Sequence, residues 1–344
     1  MPASRRTGHA GRVRREHRRV RYVHSLLFLL GAALLVVLVA RNDPTAIAAA
    51  IARLSWRILV VLCFPITLAT LFDTLGWHFA FRRDRVAFRT LVSARLAGEA
   101  FNVTTASVGG EAVKAWLLRP SVPLGESLPS LIVSKTTITI AQGLFLLFGV
   151  ALAWRTARPD SPVLYGMEVL LVVEVVAVAG FVATQVFGLI GRAGRLLGRL
   201  GTHVFGARDT LVQVDDVLVR FYREEPRRLA LSIACHFVGW LVGSVEAYLI
   251  LRFLGVGVSL TTATVIEAFG TAVRFATFVI PASLGAAEGG YLVTFLGFGL
   301  GSTAAVSFSL VRRVREGTWA AIGLIIFAVM RRRTDSTAAL TAAG

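Results

Sequence analysis

The sequence predicts an all-α integral membrane fold: about six transmembrane helices plus two re-entrant half-helix pairs arranged as an inverted repeat. Three observations carry that reading. The 344 residues are 55% hydrophobic with a mean hydropathy of +0.69, and several apolar runs reach the roughly 19 residues that cross a bilayer. The formal charge of +17 is almost entirely arginine at the ends of those runs, with only two lysines, Lys114 and Lys135. That distribution speaks for an anionic phospholipid surface as the partner of the charge and against nucleic acid. Thirdly, two similar words rich in small residues and charge interrupt the apolar pattern at corresponding places in the two halves.

Residues 1–21 hold eight arginines ahead of the first run, so the positive-inside rule makes them a basic cytoplasmic tail. The run 22–40 is too long for the h-region of a signal peptide and reads as an uncleaved first span. "RNDPTAIAAAIARLSWR" (41–57) is then an outer connection, 58–81 crosses back, and "FRRDRVAFR" (81–89) returns inside. Two pieces, 90–107 and 108–118, are each too short to cross and are separated by "TTASVGG", so they form a pair that dips in and returns. Spans at 126–154 and 163–189 follow, joined by "RTARPDSP".

Over 190–227, Leu196, Leu200, Val204, Leu211, Val214, Leu218 and Phe221 hold one helical face, predicting a cytoplasmic amphipathic segment. A span at 228–254, a broken region at 262–298 around "IPASLGAAEGG", and a span at 302–330 complete the single domain, 22–333. Residues 334–344 form a second cytoplasmic tail. The halves, about 22–155 and 163–333, each read as span, span, broken pair, span. Three crossings per half make the second half inverted, as in secondary transporters.

The repeat is checked by spacing. Glu99-Ala100-Phe101 matches Glu267-Ala268-Phe269, and Ala106-Ser107-Val108-Gly109 matches Ala282-Ser283-Leu284-Gly285. Lys135 follows Glu111 by 24 positions, and Arg312 follows Glu288 by 24. Chance recurrence in a chain with 32 glycines is the competing explanation. Gly109 and Gly110 open a short helix carrying Glu111 and Lys114 on one face. Gly285, after Pro281, opens a counterpart carrying Glu288, Gly289 and Gly290. Such N-termini present amide donors that suit an anion.

Charges deep in a span pair with one another, line a polar cavity or snorkel to an interface. Lys135, Arg312, Arg315 and Glu316 are candidates for a cavity, with Arg312 and Arg315 on one face facing Glu111, Glu288 or Glu316 and Arg313 turned away to snorkel. Glu168 is placed to snorkel, while Glu174 and Glu246 call for polar partners. His78, His236, Cys63 and Cys235 lack ligand spacing and read as packing residues. No metal or cofactor is expected.

"FNVTTASVGGEAVKAWLLRP" and "FVIPASLGAAEGGYLVTFLGFGL" followed by "SLVRRVRE" resemble the flippase-like membrane domain family, relatives of the transmembrane region of lysylphosphatidylglycerol synthase. The two glycine-glutamate words look most like the subgroup associated with hopanoid biosynthesis. The resemblance covers nearly all of 22–333 and implies a bacterial inner-membrane protein that moves a lipid between leaflets. It assigns the family's first motif to Gly109, Gly110, Glu111 and Lys114, and its second to Pro281, Gly285, Glu288, Gly289 and Gly290. Many relatives have a proline where Thr104-Thr105-Ala106 stands here. The chain ends soon after its last span, so the aminoacyl-transfer domain of the synthases is not expected.

Three functions compete. A lipid transporter would bind a polar or anionic head at the helix breaks among Lys114, Lys135, Arg312, Arg313 and Arg315, with Glu111 and Glu288 balancing charge. An integral-membrane enzyme using a lipid-linked donor would need larger outer loops and an acid or metal constellation. A non-transporting scaffold would hold lipid-biosynthesis enzymes through the basic tail and 190–227.

Overall fold

The computed structural model describes residues 26, 29–83, 85–103, 109–156, 161–187 and 205–343. The basic tail up to residue 25, the small-residue word at 104–108, the connection at 157–160 and the stretch 188–204 lie outside the described residues. Every regular element among those described is a helix.

Helix α1 (Leu29–Arg41) meets α2 (Pro44–Ala52) at a 91° bend. Asp43 makes the corner with φ 49°, its carboxylate accepting from the amides of Thr45 and Ala46. Pro44 fills the first helical position, where a missing N–H costs nothing. The connection expected at 41–57 therefore contains a helix, because Asp43-Pro44 is a helix start followed by an alanine-rich run.

Among the described residues, four helices are long and apolar enough to cross a membrane: α3 (Arg57–Phe79), α6 (Leu124–Thr156), α7 (Pro162–Val186) and α9 (Pro226–Phe253). Counting the bent α1–α2 pair as one crossing makes five. The expected sixth, 302–330, lies in α12 (Ser302–Ala343). That helix carries Arg312, Arg313, Arg315 and Glu316 near its start and runs on through Arg331–Arg333, so apolarity alone does not mark it as a crossing. Exposed Leu59, Phe64, Leu147, Val172, Val176 and Ile325 give the bundle the outward apolar belt of a membrane protein. Cys235 is half-buried, but Cys63 is exposed on α3 and packs no interior.

Between the long helices sit two broken pairs. The first is α4 (Phe88–Asn102) with α5 (Gly109–Leu117); the second is α10 (Leu260–Ala276) with α11 (Ala286–Gly297), joined through a 3-10 turn at Pro281–Ser283. Helix α8 (Phe205–Glu224) is the described part of the amphipathic segment. Its Val214, Leu218 and Phe221 bury against Trp77, Phe81, Leu91, Leu118 and Leu131, so this stretch of its apolar face is spent on the end of the bundle.

Helix α3 runs along α9, α12 lies on α4, and α6 lies on α10. Glycines let these backbones approach, as small residues do between membrane helices. A Cβ on Gly76 would stand 2.6 Å from His236 Nε2, and one on Gly323 would stand 2.3 Å from the Leu96 carbonyl oxygen.

Candidate functional site

The first broken pair is locked by its own motif. A Cβ on Gly110 would fall 2.2 Å from the Gly98 carbonyl oxygen, so only glycine lets α5 lie flat on α4. The Gly110 amide donates to Asn102 Oδ1 at 3.0 Å. Buried Lys114 donates to Glu99 at 2.9 Å and to Glu111 at 3.0 Å. Arg95 meets Asp73 at 2.9 Å and Glu99 at 4.0 Å, and His236 Nδ1 meets the other Asp73 oxygen at 2.9 Å.

Lys135 approaches Glu111 at 3.6 Å, but its side chain is 45% exposed. Losing Lys135 does not strand a buried acid, since Glu111 keeps Lys114. Lys135→Met is expected to cost no more than about 1 kcal/mol, read from thermal melting in detergent. A loss several times larger would contradict this arrangement.

The second broken pair turns on strained backbone. Pro281 opens a turn in which Ala282 (φ 54°) and Ser283 (φ 46°) are left-handed, followed by Gly285 (φ 80°). Two consecutive non-glycine residues there cost on the order of 1–3 kcal/mol each and need outside support. Arg313 supplies it, donating to the Ala282 carbonyl at 2.9 Å, to Glu288 at 2.6 Å and to Glu316 at 2.8 Å. Arg313 therefore does not snorkel as expected.

Of its neighbours on α12, Arg312 finds partners other than those predicted, while Arg315 meets the predicted Glu316 and a further acid. Arg312 forks onto Glu267 and donates to the Tyr291 hydroxyl at 2.8 Å. Arg315 donates to Glu246 at 2.6 Å and lies 3.7 Å from Glu316, which also accepts from Arg274 at 2.7 Å.

At each helix start one amide is already engaged within the protein. The Gly110 donor is taken by Asn102, and the Gly285 amide donates at 2.7 Å to Glu288 of its own helix. A Cβ on Gly289 would meet nothing within 4 Å, while one on Gly290 would stand 3.0 Å from Val273. Among the described residues Glu111 and Glu288 sit in separate ion-pair networks.

What the two breaks do share is a cavity of about 400 Å³ at the middle of α3. Asn102 and Val103, at the end of α4, and Ile280, Ala282 and Ser283, at the second turn, both line it. Its polar wall is Asp73, Arg95, Glu99, Arg274, Arg315 and Glu316; its apolar wall includes Ile66, Leu96, Phe278 and Trp319. The Trp319 indole N–H is already donated to the Leu62 carbonyl at 2.7 Å. Of the predicted site residues, Arg315 and Glu316 reach this cavity. Gly110, Glu111, Lys114 and Lys135 support it from one side, and Pro281, Gly285, Glu288, Gly290 and Arg312 from the other.

Sequence reasoning passed over Asp73, Arg95 and Arg274, although an isolated acid inside the apolar run of α3 is itself a signal. His236 is more than packing, because it orients Asp73. Glu246 has the partners expected of it, and half-buried Glu168 accepts from the exposed Trp154 indole at 2.9 Å. Glu174 differs: it is fully buried, and neither carboxylate oxygen has a hydrogen-bond partner. Among the described residues no three His, Cys, Asp or Glu side chains gather as metal ligands.

A family model described as the lysylphosphatidylglycerol synthase TM region matches residues 24–335. No curated protein matches the chain, and neither does any solved structure. The match is to the family as a whole and carries no subgroup.

Proposed function

The chain belongs to the family of the lysylphosphatidylglycerol synthase TM region, and on that premise we propose that it moves a polar-headed lipid between the leaflets of the bacterial inner membrane. The observation that carries this is the amphipathic cavity, where two helix breaks bring six charged side chains together inside an apolar bundle. A head can occupy the charged wall while its tails leave along the apolar one. In this reading the protein is a flippase without a catalytic step, both termini are cytoplasmic, and α4–α5 and α10–α11 are re-entrant from opposite sides. A hopanoid-related lipid is one candidate cargo.

The helix packing supports an inverted repeat. Exchanging the halves swaps α4 with α10 and α6 with α12. That turns the α4–α12 contact into the α10–α6 contact and leaves α3–α9 as itself. One ion pair follows suit, with Glu111–Lys135 matched by Glu288–Arg313. The register of that match is one residue off the 24-position spacing.

The test fills the cavity without touching a charge. Ala69→Phe and Ala320→Phe, both on its lining, are expected to slow lipid movement in reconstituted vesicles at least about tenfold while melting stays near wild type. Wild-type movement by both variants would sink the transporter reading.

A further inference from the structure

The charges on the lining balance, Asp73, Glu99 and Glu316 against Arg95, Arg274 and Arg315. The ion-pair networks joined to them balance too among the described residues, with Glu111, Glu246, Glu267 and Glu288 against Lys114, Lys135, Arg312 and Arg313. The three arginines on the lining are committed, to Asp73, Glu316 and Glu246, at 2.6–2.9 Å. A phosphate head would have to pull one away and leave a carboxylate unpaired in a low-dielectric site, which is strongly unfavourable. A zwitterion would have to part a pair on both sides.

A hydroxyl needs neither. Each carboxylate oxygen has a second lone pair, and a guanidinium has five N–H donors of which these pairs use only some. Alternating donors and acceptors of that kind suit groups that both give and receive. Trp319, its N–H already spent on Leu62, offers the cavity ring carbon alone, a surface for the C–H face of a sugar ring. The volume of about 400 Å³ lies within the 300–1,000 Å³ usual for small-ligand pockets.

We propose that the cavity receives an uncharged, hydroxyl-rich lipid head, a sugar or polyol, and not an anionic or zwitterionic phosphate head. This rests on the transporter reading and narrows its cargo.

The test loads vesicles separately with diglucosyldiacylglycerol, phosphatidylglycerol and phosphatidylethanolamine, and follows how fast the inner-leaflet pool becomes accessible to an outside reagent. Periodate attacks the vicinal diols of the first two, so that pair differs in head charge under one chemistry; an amine reagent reports the third. The glucolipid is expected to move at least about tenfold faster than either phospholipid. Equal or faster movement of either phospholipid overturns the proposal.

If no lipid moves, binding decides. Native mass spectrometry of delipidated protein should show the glucolipid retained over both phospholipids, and lost in Ala69→Phe. That outcome would refute transport yet keep the specificity. Retention of a phospholipid instead, or of none of the three, overturns it.

Discussion

Replacing Arg312 by Met is expected to destabilise the protein by about 3–5 kcal/mol, a large share of the roughly 5–15 kcal/mol a folded protein has. Arg312 is 5% exposed and its partner Glu267 2%. The fork between them is joined by the Tyr291 hydroxyl, and Glu246 lies 3.7 Å from Nε. Methionine keeps much of the packing and removes the charge, which leaves Glu267 buried without a cation. Adding Glu267→Gln should restore part of the loss, because a neutral amide no longer needs the arginine. Thermal melting of the single and double variants in one detergent checks both statements. A single variant within about 1 kcal/mol of wild type, or a double variant worse than the single, would show that the fork is not what holds α12 to α10.

The second large effect separates glycines that a motif treats alike. Gly110→Ala should disrupt the first helix pair, since the new Cβ would lie 2.2 Å from the Gly98 carbonyl oxygen and 2.3 Å from Asn102 Oδ1. Backbone cannot yield as a flexible side chain can, and overpacking of this kind costs at least about 1–3 kcal/mol. Gly289→Ala meets nothing within 4 Å and lies inside α11, where alanine is the better helix former by up to about 1 kcal/mol. Melting should fall for the first and hold or rise for the second. Equal damage at both positions would mean the glycines serve something other than close approach.

Much of the fold was legible because its signals are local. Helices α3, α6, α7 and α9 begin and end within a few residues of the expected spans, as hydropathy and flanking arginines specify them. The breaks were legible from small residues and Pro281. Which charges meet was not. Arg312, Arg313 and Arg315 are too close in sequence for periodicity to choose their partners. Glu246, Glu267 and Glu288 arrive from three other helices, whose rotation about their axes only packing determines.

One amide at each helix start is already taken, for a related reason. Asn102 and Glu288 reach those amides first, and nothing in the glycine words announces a cap supplied across a turn or by the motif's own acid. Glu174 has no hydrogen-bond partner among the described residues, although its depth in α7 called for one.

Helix α12 adds a mechanical constraint. It is unbroken from Ser302 to Ala343; it holds the second turn through Arg313, and further along it sets Phe327 against Phe101 and Trp116 of the first pair. The stretch from Arg313 to Phe327 is a shaft of about 21 Å. In the transporter reading proposed above, a rotation or slide at one break would be carried along this shaft to the other, which makes the two helix pairs a single linkage.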